Sequence, residues 1–193
     1  LLNHTPIKAV GLCNLPIGAQ ERIAKLLHLP MDQVRLETAS LNHCGAITAV
    51  NSHGSVRIPG TDAFWAWPFE QAIPGEGWEF GGARPPADTS FDLEDWGAAK
   101  ANPGARQNTT ICAVATDVAL TPAQARRVAQ MASAGLARAI RPVFAPFDGD
   151  VVFALSTARR PRPAPEPFAL ARIGSLAADC LARAIMRGVH LAA

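Results

Sequence analysis

The apolar positions fall into segments whose spacing names the elements. Residues 10–29 begin with a turn and continue as a helical pattern. Ile17, Ile23, Ala24, Leu26 and Leu27 recur near 3.6-residue spacing until Pro30 stops the run. Residues 33–37 alternate polar and apolar side chains, as a short strand does. Residues 46–51 read as a buried strand and 52–55 as its turn. A further strand spans 110–117. Thr121 then caps a helix with Pro122 at its first position, and Val128, Met131, Ala132, Leu136 and Ile140 form the apolar face before Pro142 ends it. Residues 151–157 form the next buried strand, followed by a proline-rich connection holding three arginines. A last helix over 167–189 turns Leu170, Ile173, Leu176, Ala177, Leu181, Ile185 and Val189 inward. The main strands are near-continuous apolar runs, which predicts cover on both faces. One sheet under two amphipathic helices makes half of a layered sandwich.

Residues 57–108 break this pattern. They hold Pro59, Pro68, Pro74, Pro85, Pro86 and Pro103 and all four tryptophans, and so read as one long irregular segment. A segment of that length within a domain is functional or mobile.

Composition narrows the function classes. Apolar residues make up 49% of the 193, enough to bury a core. Eighteen basic residues stand against 16 acidic ones, a net charge of +2, which excludes an electrostatic grip on nucleic acid. Aromatics are only 6% and tyrosine is absent, so base-stacking surfaces are not expected either. Abundant Ala and Gly predict closely packed helices. No apolar run reaches the ~20 residues that span a bilayer, so no membrane partner is expected. The opening residues lack a basic stretch followed by an apolar one, and the first residue is Leu1, so the chain reads as beginning within a gene. Cys13, Cys44, Cys112 and Cys180 form no CxxC pair, which points to reduced thiols in a cytoplasmic protein.

The candidate chemistry lies at Asn108-Thr109-Thr110-Ile111, followed by Val114-Ala115-Thr116-Asp117 and Leu120-Thr121. Alone, Asn-Thr-Thr is ordinary loop chemistry or a glycosylation sequon. Asn51 alone is a strand-end cap, and Asp148-Gly149-Asp150 alone a turn before a strand. Together with Val50-Asn51-Ser52-His53-Gly54, Phe80-Gly81-Gly82-Ala83-Arg84-Pro85 and Pro146-Phe147-Asp148-Gly149-Asp150, and in this order, residues 45–193 resemble the DmpA-type L-aminopeptidase/D-esterase (beta-peptidyl aminopeptidase) family.

The resemblance implies an α+β fold, an αββα sandwich like that of the ornithine acetyltransferases. It also implies a self-cleaving N-terminal nucleophile acting on peptide, amide or ester carbonyls without a cofactor, in a homo-oligomer if the family assembly is retained. By resemblance Thr109 is the nucleophile and Asn108–Thr109 the processed bond. The freed α-amine then serves the hydroxyl as its base. Asn51 matches a side-chain amide that holds the oxyanion. Asp148 and Asp150 lie where the family places polar and acidic partners, Asp148 being the first choice. His53, His28 and His190 read as surface or packing residues. The longer α-portion such enzymes carry ahead of the strand at residue 46, with the other sheet, is not found in this sequence. The sandwich is therefore expected to be incomplete, and the chain either self-processing or an inactive product.

Residues 1–44 resemble a different family. Val10-Gly11-Leu12-Cys13-Asn14-Leu15-Pro16-Ile17-Gly18 and Leu41-Asn42-His43 are similar to the middle of glycoside hydrolase family 4. That resemblance implies an alternative reading as an α/β fragment of a phospho-glycosidase that uses NAD and manganese. Cys13 and His43 would bind the metal, and Asn14 and Asn42 would face the substrate. The glycine-rich NAD-binding unit of such enzymes is not found in the sequence. The chain thus reads as a chimera joined near residue 44.

Overall fold

The computed structural model describes residues 10–13, 44–89, 108–160 and 165–192. Four strands form one mixed sheet: β1 (Val10–Cys13), β2 (Cys44–Asn51), β5 (Thr109–Val118) and β6 (Val151–Arg160), adjacent in that order. β1 pairs antiparallel with β2 and β2 with β5, while β5 and β6 run parallel. The parallel pair needs a crossover, and helix α1 (Pro122–Ala139) supplies it. Helix α2 (Pro167–Leu191) follows β6. Between β2 and β5 a short hairpin joins β3 (Ala72–Ile73) to β4 (Gly77–Trp78).

The local chemistry explains the helix start at 122. The Thr121 side chain accepts the Gln124 backbone N–H while the Gln124 side chain accepts that of Thr121, so two orphan donors are satisfied reciprocally. α1 and α2 then approach at their small residues. A Cβ placed on Gly135 would lie 2.3 Å from the Ala178 carbonyl oxygen, and one on Gly174 would lie 2.5 Å from the Met131 sulfur. Gly135→Ala would gain roughly 1 kcal/mol of helix propensity. It would meet backbone that cannot yield, and overpacking of this kind costs about 1–3 kcal/mol. The expected net result is a lower thermal midpoint. A midpoint raised by the substitution would show that the helices are not in contact at this point.

The core lies between the helices and one face of the sheet. Cys44, Ala46, Thr48 and Val50 of β2 and Thr110, Cys112, Val114 and Thr116 of β5 are buried there, with Leu136, Leu181, Ile185 and Met186 packed against them. Thr48 and Cys112 are register partners and share a hydrogen bond, 3.2 Å between oxygen and sulfur. Burial pushes the Cys112 thiol up to about 12, so it is inert packing.

The opposite face differs from the sequence expectation of cover on both sides. Ile111, Phe153 and Leu155 are 51%, 54% and 56% exposed. Their apolar runs are those of a two-sided sheet, and among the described residues only one side has its layer. Two further expectations change. Residues 10–13, read as a turn before a helix, form the edge strand β1 and pair with residues 46–49. The segment from 57 to 89 is irregular, as expected, and is also packed. Ile58, Ala63, Phe64, Ala66 and Phe80 are buried, with the Phe64 and Phe80 rings edge to face. The expected helix within 10–29, the strand over 33–37 and residues 90–107 lie outside the described residues.

That segment is held by charge as well. Glu70 accepts the backbone N–H of Phe80 (2.8 Å) and of Gly82 (2.9 Å) and pairs with Arg84 at 2.6 Å. The Arg84 guanidinium stacks between the Trp67 and Trp78 rings, 5.0 and 4.4 Å from their centroids. Glu79 pairs with Arg183 of α2, both side chains about 5% exposed or less.

Candidate functional site

β5 begins at Thr109, one residue earlier than its apolar run suggests, and Asn51 is the register partner of Thr109 at the end of β2. Directly opposed residues share a face. The strand alternation therefore places both side chains on the face away from the helices, at one end of the sheet. Asn108 is buried immediately before the strand. The Thr109 hydroxyl donates to the Asn108 carbonyl oxygen at 2.6 Å, and the Gly149 backbone N–H donates to the same oxygen at 3.0 Å.

The turn before β6 supplies the acids. Asp150 accepts the Thr110 backbone N–H at 2.7 Å and the Phe144 N–H at 3.2 Å, one on each carboxylate oxygen. Its geometry is that of an anchor, fixing the first residues of β5 against the start of β6. Asp148 is placed differently. One of its oxygens accepts the His53 N–H at 3.4 Å, while the other, Oδ1, is buried with no hydrogen-bond partner. Burial, and then the neighbouring charge of Asp150, raise the Asp148 carboxyl above its usual range. A carboxyl with a spare buried oxygen and a raised pKa is suited to take up a proton.

Thr109, Asn108, Asn51, Asp148 and Asp150 are thus gathered at one end of the sheet, although 97 positions separate Asn51 from Asp148. Two neighbours carried no functional signal in the sequence. His53, read as surface or packing, is buried, its ring edge-on to Phe147 at 4.7 Å. Gly149 stood only as the middle of a turn. In the alternative reading, Cys13 lies on β1 opposite Ala46. Asn14, Asn42 and His43 lie outside the described residues. Among the described residues no group of three or more His, Cys, Asp or Glu could hold a metal. None of the described helices is long and apolar enough to cross a membrane.

The model of peptidase family S58 matches residues 35–193. An uncharacterized aminopeptidase of Mycobacterium tuberculosis is 38% identical over 154 residues, 75% of this chain and 43% of the relative. One of Mycobacterium leprae is 35% identical over 190 residues, 94% of this chain and 49% of the relative. The chain therefore spans less than half the length of these relatives. Among solved structures, the L-aminopeptidase D-Ala-esterase/amidase of Ochrobactrum anthropi, a variant of the Ntn hydrolase fold, is 21% identical. It covers 75% of this chain and 34% of that one, with a TM-score of 0.40. A probable 6-phospho-beta-glucosidase of Bacillus subtilis is 46% identical over 44 residues, 22% of this chain and 10% of that protein.

Proposed function

The chain belongs to peptidase family S58, and from that premise we propose that it carries the self-processing nucleophile of an aminopeptidase, with Thr109 freed by cleavage after Asn108. The observation that carries this reading is the hydroxyl of Thr109 hydrogen-bonded to the carbonyl of the bond it would cut, at the first residue of a strand. Attack by Thr109 Oγ on the Asn108 carbonyl carbon gives an ester, and water then releases the two chains. The new α-amine of Thr109 becomes the base for the same hydroxyl in attack on a peptide, amide or ester carbonyl. Asn51, directly across the ladder, is assigned to hold the oxyanion formed on that substrate. Asp148 is assigned to accept the hydroxyl proton during processing, and Asp150 to hold the strand start. No cofactor is required by this chemistry.

The exposed sheet face of Ile111, Phe153 and Leu155 fits an αββα sandwich in which a second sheet covers it. A second layer over this face and a homo-oligomer of the completed fold are part of the same proposal. Intact-mass spectrometry of the purified chain tests the reading. Fragments corresponding to residues 1–108 and 109–193 are expected to accumulate on incubation. A chain that stays whole at neutral pH would overturn it.

The likeness of residues 1–44 to a glucosidase favours a second reading for that segment alone, with manganese on Cys13 and His43 and NAD as its further cofactor. Two observations weigh against a separate module. Residues 10–13 pair with β2 in the aminopeptidase sheet, and the family match begins at residue 35. Equilibrium dialysis against manganese is expected to show no binding that depends on Cys13. Binding lost in Cys13→Ser would revive the alternative.

A further inference from the structure

We propose that the backbone N–H of Gly149 is the oxyanion donor for the self-processing step, and that position 149 is glycine because any side chain there would displace the nucleophile. The inference rests on the reading of Asn108–Thr109 as the processed bond and adds the group that stabilises its transition state.

Two independent observations converge on this residue. Its N–H lies 3.0 Å from the Asn108 carbonyl oxygen and so already holds the atom on which negative charge would grow. That donor is aimed at the bond before Thr109, and the same N–H also interacts with the Asp148 carboxylate beside it. A Cβ built on Gly149 would lie 2.5 Å from Thr109 Oγ1 and 3.4 Å from its Cβ. Oxygen and carbon cannot approach so closely without one of them moving, and the atom that would move is the attacking oxygen. Gly149 thus touches both reacting groups, the carbonyl through its N–H and the hydroxyl through its missing side chain.

Thr109 Oγ bonds to the Asn108 carbonyl carbon and gives up its proton to the Asp148 carboxylate assigned as its acceptor. The carbonyl electron pair moves onto oxygen, where negative charge grows against the Gly149 N–H. Collapse of this intermediate restores the carbonyl and breaks the bond between the Asn108 carbon and the Thr109 nitrogen. That nitrogen takes the proton back from the Asp148 carboxyl and leaves as an amine. The Asn108 ester on Oγ is then hydrolysed by water, which supplies the hydroxyl of the new carboxylic acid and returns a proton to Oγ. The donor must hold its place while the oxygen changes from carbonyl to oxyanion. Asp148 and Asp150 hold it there: Asp150 is bonded to Thr110 and Phe144 on either side of the site, and Asp148 to the His53 N–H.

The decisive variant replaces the Gly149 residue by glycolic acid. An ester oxygen then stands where the N–H was, and the space around Thr109 is unchanged. The full chain is followed by intact-mass spectrometry, with circular dichroism to confirm the fold. The expected result is cleavage slowed about 10²-fold to 10³-fold, the loss that follows removal of one oxyanion donor. Gly149→Ala, which keeps the N–H but crowds the hydroxyl, should also slow cleavage. Its slowing should be relieved in part when Thr109→Ser is added, since serine lacks the methyl group that resists displacement. Cleavage of the glycolic acid variant at the wild-type rate would overturn the inference while leaving Thr109 as the nucleophile. An uncleaved wild-type chain would overturn both.

Discussion

Thr109→Ala is expected to abolish cleavage at Asn108–Thr109, leaving a single species at the intact mass for as long as the wild type takes to process fully. Thr109→Ser should still cleave. The contrast follows from the site. In the proposed reaction the attacking atom is the side-chain oxygen at 2.6 Å from the Asn108 carbonyl oxygen, and alanine removes it while keeping the strand. Groups of the β-ladder do not substitute for it, because the backbone atoms of residue 109 are fixed by pairing with Asn51. A nucleophile acting within its own chain has no second-best alternative, so its loss should remove the whole rate. The proton acceptor should show a smaller effect with its own signature. In its proposed role Asp148 would act as a base only when ionised, and burial together with Asp150 raises its pKa above the usual carboxylate range. The cleavage rate is therefore expected to fall as pH drops through that raised value. Asp148→Asn should slow cleavage about 10²-fold and flatten this acidic limb. An unchanged acidic limb in Asp148→Asn would assign the proton to another group.

The strands and helices that position this site were legible because each announces itself locally. Thr121-Pro122 with Gln124 is a capping box that needs no tertiary partner, and the 110–117 run is long enough to be a strand in any context. Val10–Cys13 is not: four residues of mixed propensity become a strand only because residues 46–49 offer a free ladder edge. Apolar content correctly marked Ile111, Phe153 and Leu155 as sheet residues but misjudged their cover. A sequence pattern records the environment a strand is suited to, and that environment can come from another part of a fold. The roles proposed for Thr109, Asn51 and Asp148 rest on family resemblance, and residue types alone would have left them as a loop, a cap and a turn. Gly149 and His53 were hidden for a different reason. Their significance is an approach between loops, His53 to Asp148 across 95 positions, and no periodicity reports that. The segment from 57 to 89 was hidden similarly. Its prolines and glycines spell irregular backbone, but what ties it down is a pair of carboxylate contacts, Glu70 with Arg84 inside the segment and Glu79 with Arg183 on helix α2.

Among those contacts Glu79–Arg183 should have the largest effect on stability, and the two partners should differ. Both side chains are almost wholly buried, and the pair ties the segment before the site to helix α2. Burial pushes the Glu79 carboxyl up to about 7, with Glu70 adding to the rise. The carboxylate is thus not fully repaid for leaving water, even with a guanidinium against it. Glu79→Ala strands a charge that cannot be discharged, since arginine keeps its proton at any accessible pH. A cost of about 3–5 kcal/mol is expected, read as the loss in unfolding free energy in urea. Arg183→Leu leaves a carboxyl that can bind a proton instead, so its cost should be smaller and should shrink further on acidification. The double variant Glu79→Leu with Arg183→Leu should recover much of the loss, because no charge is left buried. The sign of the pH dependence follows from Glu79. Its folded pKa lies above the unfolded value of 4.5, so its contribution is fully present below that value. It is lost as pH rises through about 7. Equal costs for the two single variants across this window would show that the pair is solvated and that Arg183 anchors the helix by some other contact. A larger cost for Glu79→Ala would establish that a buried charge, rather than the irregular backbone around it, holds this segment in place beside the nucleophile's sheet.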